Sequence, residues 1–383
     1  MVIRTGTGTA RLPLKSLSAL TVAAFITVLT ESLPAGVLPL MSAGLGVGEP
    51  VAGQLVTVYA VGTAVSAIPL SPATAGWGRK VVLLAGVGGF AVANTVTALS
   101  SSFPLTLVAR FVAGVAAGLV WALLVGYARR LAPERLRGKA IAVVMAGIPL
   151  ALSLGIPAGT FLGGLLGWRA TFGVMTAIAV VLVAWIAAVV PDFAGRRAGR
   201  LSLWHAVTVP GVAPVLVVTV VFVLAQTVLY TYVAPVVAHV GVGSVDVVLL
   251  VFGVASLVGI WVVGAGIDRR LRELTIAGAV LVAVAVLVLA TGGSTAVLVA
   301  AALWGLGWGG VPTLLQTAVG ESDTAQAALV TLWNAATAAG GVVGGVLLDG
   351  AGAGALPWAV LALLVPVLVV VVAARTHGFP KSG

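Results

Sequence analysis

PDFAGRRAGRLSLWH, residues 191–205, is the longest polar stretch of a 383-residue chain, and the sequence on either side of it decides the fold. Six apolar runs precede it, near 17–40, 51–74, 80–100, 105–128, 139–166 and 170–190. Six more follow, near 207–237, 244–266, 273–291, 295–319, 323–348 and 356–374. Crossing the hydrocarbon core of a bilayer as a helix takes about 20 apolar residues, which each run supplies. Composition agrees: 61% of residues are hydrophobic and 8% charged, where a soluble globular chain carries roughly 45–50% and about 25%. Mean hydropathy is +1.21. The expected fold is therefore an all-α integral membrane protein with twelve transmembrane helices in two six-helix, pseudo-symmetric bundles. They occupy residues 17–190 and 207–375 and are joined by a cytoplasmic linker at 191–206.

Charge sets the orientation. Twenty Lys and Arg against ten Asp and Glu give +10, a surplus that in a soluble protein would raise the question of nucleic acid. Here the surplus is confined to alternate loops, and positive loops stay cytoplasmic. Arg4, Arg11, Lys15, Arg79, Lys80, Arg129, Arg130, Arg135, Arg137 and Lys139 fall on one side. Arg196, Arg197, Arg200, Arg269, Arg270, Arg272, Arg375 and Lys381 join them, making 18 of 20, with Arg169 alone opposite and Arg110 inside a span. Both termini are expected in the cytoplasm of a multi-pass inner (plasma) membrane protein. Arg4, Arg11 and Lys15 before the first run imitate a signal peptide, but the run from Leu17 to Leu40 is too long for one and contains Glu31. A basic loop follows the second span of each half, WGRK at 77–80 and DRRLRE at 268–273, with Arg79 and Arg272 lying 193 residues apart. That spacing points to an internal duplication, as in carriers whose two bundles rock about a central site.

Few residues can carry chemistry inside the spans. A carboxylate near mid-membrane costs about 2.5–3.5 kcal/mol on insertion scales, and such acids face cavities and function as proton or ion sites. Glu31 is that residue; the plain alternative is a structural acid satisfied by Thr27 and Thr30. Arg110 is the one base within a span, and on antiparallel first and fourth helices the two lie about 13 and 8 Å below the outer boundary, able to face each other. Alternatively Arg110 snorkels to the surface or ties backbone carbonyls between helices. Candidate substrate contacts are Thr27 and Trp121, Gln226 and Tyr230 one turn apart, the stripe Trp304, Trp308, Pro312 and Gln316, and Asn334 beside Trp333. Rings with a few amides suit flat lipophilic solutes, though packing and interfacial belts also use such residues. Glycines four apart, such as Gly114/Gly118, Gly159/Gly163 and Gly340/Gly344, read as close helix packing.

Other chemistry has no foothold. With no cysteine, thiolate metal sites and Cys nucleophiles are excluded. His205, His239 and His377 form no cluster, and no nucleophile elbow, zinc-protease helix or phosphate loop occurs. Gly305, Gly307 and Gly310 fit a dinucleotide fingerprint only by accident, inside a span. No cofactor or metal and no enzymatic activity are expected.

Several motifs together resemble the Major Facilitator Superfamily, and within it the twelve-span drug/proton antiporter branch of chloramphenicol-resistance and arabinose-efflux-like exporters. They are ESLPAGVLP (31–39), RFVAGVAAG (110–118), GIPAG (155–159) and GWRATF (167–172). Ala113 stands where the pattern often has Gln, and Ser71, Ala75 and Gly76 stand where the loop after the second span usually has Gly, Asp and Arg. The second-half copy, GAGIDRRLR (264–272), keeps Asp268 and Arg269. The resemblance implies that the first and fourth helices line the N-half cavity, that Gly155, Pro157 and Gly159 form an antiporter hinge, and that Arg79, Asp268, Arg269 and Arg272 gate the cytoplasmic side. The leading expectation is a proton-coupled exporter of small amphipathic compounds or drugs, working by alternating access as a monomer in the bilayer. An exporter of sugars or other metabolites is the nearest alternative, and an intramembrane enzyme or lipid-handling protein the different-class one.

Overall fold

The computed structural model describes residues 12–74, 76–194, 211–242, 244–320, 323–374 and 378–379. Most of the expected linker, Ala75, and the basic residues Arg4, Arg11, Arg196, Arg197, Arg200, Arg375 and Lys381 lie outside the described residues. The first bundle comprises α1 (Leu14–Gly36), α2 (Glu49–Ala73), α3 (Arg79–Leu99), α4 (Phe103–Leu131), α5 (Lys139–Leu166) and α6 (Trp168–Val189). The second comprises α7 (Val212–Thr231), α8 (Val245–Ile267), α9 (Arg269–Thr291), α10 (Val297–Ala318), α11 (Asp323–Ala351) and α12 (Ala355–Ala373). Among the described residues, eleven helices are long and apolar enough to cross a membrane; α2, with 25 residues, is the twelfth of the bundle pair.

Proline and glycine break several spans expected to be continuous. Val37 leaves helical geometry (φ −113°, ψ 18°), and the chain restarts as a short helix, Leu38–Leu45, with Pro39 in its first turn. Tyr232 does the same in the second half (φ −111°, ψ 26°), ahead of the helix Val233–His239 with Pro235. A proline ring clashes with the preceding turn and offers no N–H, so a helix interior gives way there. The run expected at 207–237 is thus two helices, as is that at 17–40. α10 is interrupted at Gly310, just before Pro312, and α5 holds a π-helical turn, Ala151–Gly155, just before Pro157. The expected basic loop at 268–273 is corrected too: α8 and α9 form one helical trace of 47 residues, Val245–Thr291, kinked at Arg270 (φ −134°, ψ 35°). At about 1.5 Å per residue such a trace is more than twice the thickness of a bilayer core, so the kink separates two spans. Between α5 and α6 the chain reverses at the single residue Gly167, whose φ of 86° a side chain would oppose.

Basic residues mark one end of the helices. Lys80 Nζ, at the start of α3, donates to the Ala187 carbonyl of α6 at 2.7 Å, and Arg130 reaches the Ala194 carbonyl at 3.2 Å. In the second half Arg272, at the start of α9, donates to the Val371 and Val372 carbonyls of α12 at 3.3 and 2.8 Å. Both arrangements put a cation on the carbonyls that a helix C-terminus leaves unpaired. Asp192 completes this basic end by accepting the Lys80 amide at 2.9 Å at the N-terminus of α3. At the opposite, distal end Arg169 binds the Gly44 and Ser100 carbonyls at 3.1 Å each.

Small residues let the helices meet, since in lipid close packing replaces hydrophobic collapse. Gly114 and Gly118 of α4 lie against the α2 backbone at Tyr59 and Thr63; Gly305 and Gly309 of α10 lie against the α8 backbone at Phe252 and Ser256. Tyr59 and Phe252 are 193 residues apart, as are Thr63 and Ser256, the same interval as Arg79 to Arg272. The duplication therefore extends to the packing. Between bundles, α2 meets α11, α5 meets α8 and α1 meets α7.

Candidate functional site

Pro34 shapes the first half of the site. Lacking an N–H, it leaves the carbonyl of Thr30, one turn earlier, without its helical donor. Arg110, fully buried on α4, fills the vacancy: Nη1 donates to that carbonyl at 2.6 Å, Nη2 to the Glu31 carbonyl at 3.2 Å, and Nε to the Leu55 carbonyl at 3.2 Å. The guanidinium lies 4.8 Å from the centre of the Tyr59 ring, whose hydroxyl donates to the Thr27 carbonyl at 3.1 Å. Arg110 thus joins α1, α2 and α4 through backbone carbonyls. The expected facing of Glu31 and Arg110 takes this form, through the Glu31 backbone carbonyl. Glu31's own side chain is half-buried, within electrostatic reach of Arg110, Tyr59 and, across the bundle boundary, Tyr230. Behind it Asn94 of α3 donates to the Thr30 hydroxyl at 3.3 Å.

A buried aromatic cluster, the aromatic wall of the second bundle, forms the other half of the candidate site. Trp304 donates its indole N–H to the Gln226 amide oxygen at 2.6 Å. Its ring lies 4.6 Å from Phe252 and 5.9 Å from Tyr230, with Tyr230 and Phe252 5.6 Å apart. Trp308 continues the wall, 5.3 Å from Phe222 and 5.8 Å from Trp333. Of the sequence candidates, Gln226, Tyr230, Trp304 and Trp308 come together here.

Four others do not. Thr27 is fully buried and donates its hydroxyl to the Ala23 carbonyl at 2.7 Å, back along its own helix. Gln316 is exposed and its carbonyl accepts the Gln326 amide at 2.8 Å, in the α10–α11 turn. Asn334 turns back to the Val330 carbonyl at 2.9 Å, and its neighbour Trp333 takes the place at Trp308. Trp121 packs half-buried on the core and joins no ring contact among the described residues. The residues missed from sequence are Tyr59, Asn94, Phe252 and Phe222; Thr30, named as a hydroxyl for Glu31, has its hydroxyl engaged by Asn94. Phe252 was within reach through the repeat, as the counterpart of Tyr59.

Gly155 and Gly159 lie against Phe25 and Leu33 of α1, and the π-turn before Pro157 is where Gly253 of α8 abuts the Leu152 and Ser153 backbone. Arg79, through its amide, binds the Phe193 carbonyl at 2.9 Å, and Arg272 binds α12 as above. These two expected gating residues are tied within their own bundles. Arg269 is exposed, and the Asp268 side chain lies outside the described residues. The hydrogen bonds between bundles are at the distal end instead. Across the bundles Tyr232 donates to the Pro50 carbonyl of α2 at 3.3 Å and Gln54 of α2 reaches the Gly341 carbonyl of α11 at 3.4 Å, while within the second bundle Tyr232 also donates to the Gly341 carbonyl at 2.9 Å.

Comparison with known proteins accords with this geometry. The profile of the Major Facilitator Superfamily matches residues 20–345. The purine ribonucleoside efflux pump NepI of Salmonella enteritidis PT4 is 31% identical over 377 residues, covering 94% of this chain and 93% of that protein. Its namesake in Escherichia coli O6:K15:H31 is 31% identical over 341 residues and 85% of each chain. Among solved structures, the human organic anion transporter MFSD10 (TETRAN) superposes with a TM-score of 0.71 at 18% identity, over 94% of this chain and 99% of that one, a likeness of fold. Apolar spans in a pattern repeated at an interval of 193 residues, a buried arginine on α4 holding the α1 backbone beside an intramembrane glutamate, and a family match over most of the chain lead to one assignment: the protein belongs to the Major Facilitator Superfamily and is a multi-pass membrane transporter.

Proposed function

We propose that this protein exports small flat heterocyclic solutes, purine ribonucleosides foremost, from the cytoplasm in exchange for protons. The observation that carries the reading is the aromatic wall of Tyr230, Phe252, Trp304 and Trp308 with the Gln226 amide beside it, set across the bundle boundary from Glu31. Aromatic faces stack on planar bases, and an amide supplies directional hydrogen bonds. The relatives named as purine ribonucleoside efflux pumps support the same class. Glu31 is the acid in the middle of the spans and serves as the proton carrier; Arg110 holds the α1 backbone around it and adds a fixed positive charge.

Orientation follows from the basic end, which faces the cytoplasm with both termini and the linker. The distal hydrogen bonds of Tyr232 and Gln54 then lie on the outer side, which supports reading that side as the closed one. Export proceeds when the bundles rock, opening α2–α11 and α5–α8 and closing the basic end. The molecule works as a monomer in the inner membrane.

Amphipathic drugs are the second reading, favoured by the apolar continuation of the wall through Phe222, Trp308 and Trp333. Purified protein in proteoliposomes, energised by a pH difference alone, separates the two. Accumulation of inosine and adenosine over uridine supports nucleoside export; accumulation of amphipathic cations with no nucleoside transport replaces it with the drug reading. Movement of neither, in vesicles shown to hold folded protein, overturns both.

A further inference from the structure

The Tyr230 hydroxyl, like the Asn94 amide oxygen behind Glu31, is a polar atom the site leaves unpaired. It is buried and, among the described residues, without a hydrogen-bond partner. Its ring is fixed by Trp304 and Phe252, so the hydroxyl has a set position at the end of a rigid aromatic pair. A buried hydroxyl left unpaired gives up its hydration without return, a cost proteins rarely retain without a use. What lies within electrostatic reach is the Glu31 carboxyl on the opposite bundle, where α1 meets α7. The other groups facing Glu31 already have partners: Arg110 is held by three carbonyls and Tyr59 donates to the Thr27 carbonyl.

We infer that the Tyr230 hydroxyl, unpaired in the arrangement described, is the inter-bundle partner of Glu31, donating to the carboxylate once it ionises and displaced from it when a solute stacks on the aromatic wall. Tyr230 is then a positioning residue with two faces: its ring belongs to the solute site and its hydroxyl to the proton site. A solute against the ring separates the hydroxyl from Glu31 and thereby alters the carboxyl's affinity for a proton. No bond other than this hydrogen bond is made or broken; the proton itself passes between Glu31 and water. The inference rests on Glu31 as the proton carrier and adds the residue through which the solute acts on it.

The test reads Glu31 directly. Dicyclohexylcarbodiimide modifies protonated carboxyls in apolar surroundings, and labelling of Glu31 can be followed by mass spectrometry as a function of pH in the full-length, reconstituted protein without solute. Tyr230→Phe keeps the ring and removes the hydroxyl. Loss of a hydrogen bond to the charged form should displace the labelling midpoint by roughly one pH unit. Tyr127→Phe is the control, because it also removes a buried tyrosine hydroxyl without a partner, beside Phe193 at the basic end; its profile should match the wild type. Addition of inosine should shift the wild-type profile and leave that of Tyr230→Phe in place. A Tyr230→Phe profile identical to the wild type, or an equal displacement by both variants, overturns the inference. Failure of inosine alone to act, with the solute-free displacement present, counts against the nucleoside reading and leaves the Tyr230–Glu31 pair standing.

Discussion

Glu31 and Gln226 occupy equivalent stations in the two bundles, each six residues before the break in its helix, at Val37 and at Tyr232. The duplicated frame thus carries a carboxyl on one side and its uncharged near-isostere on the other. Gln226 accepts the Trp304 indole at 2.6 Å, so the second copy of the station organises the aromatic wall. Gln226→Leu removes that acceptor and leaves a buried N–H unpaired, at a cost of about 1–3 kcal/mol. The expected outcome is a lower melting temperature in detergent and roughly tenfold weaker binding of inosine by equilibrium dialysis, a factor worth about 1.4 kcal/mol. Unchanged affinity would remove Gln226 and its wall from the solute site.

Arg110 should behave as a structural tie. Its three donors serve carbonyls on α1 and α2, a pattern that the single ammonium of lysine cannot reproduce. Arg110→Lys should therefore reduce the folded yield by size-exclusion chromatography and lower the melting temperature. Arg110→Leu should do so more severely, by about 3–5 kcal/mol, since a network of buried polar groups loses its centre. A Lys variant with full stability and no proton coupling would show instead that the charge acts on Glu31 and the geometry matters little.

The distal closure can be probed through the absence of native cysteine. Gln54→Cys places a reporter beside Tyr232 and Gly341. With Tyr232→Phe added, the hydrogen bond across the bundles to the Pro50 carbonyl is lost, together with the Tyr232 bond to Gly341 that positions it. Labelling by a membrane-impermeant maleimide from outside cells should then rise several-fold over the single variant. Equal labelling rates would mean that helix packing, without the tyrosine, holds this end shut.

Hydropathy made the spans legible, eleven of them among the described residues, because lipid imposes one length and one polarity on every crossing helix. Breaks at Val37, Tyr232 and Gly310 were less so: Pro39, Pro235 and Pro312 are visible in the sequence, but whether a proline kinks a helix or ends it depends on what receives the freed carbonyl. The same holds within the site. Glu31 and the Gln226, Tyr230, Trp304 and Trp308 set could be singled out from residue type and helical spacing. Their partners could not, since Arg110 to Thr30 and Trp304 to Gln226 are contacts between helices whose rotations no single sequence specifies. Thr27 and Asn334 misled for a local reason: a hydroxyl or amide within a helix can turn back to the carbonyl four residues earlier, as both do here.

Coupling is the property on which the proposed function depends most, and Glu31 is its test. Glu31→Gln removes ionisation while keeping size and hydrogen-bonding capacity. The backbone carbonyls of Thr30 and Glu31, which Arg110 requires, are untouched by the change, so the fold and the melting temperature should be retained. Inosine binding should change less than about threefold, under 1 kcal/mol, because the aromatic wall is intact. Uphill transport driven by a pH difference should be lost, and solute-induced proton release from the purified protein should fall to the buffer baseline. Downhill exchange of inosine across the same vesicles should persist, since alternating access without a proton requirement still equilibrates solute. A variant that concentrates inosine against its gradient under a pH difference alone would move the proton site away from Glu31, and with it the role assigned to the Tyr230 hydroxyl.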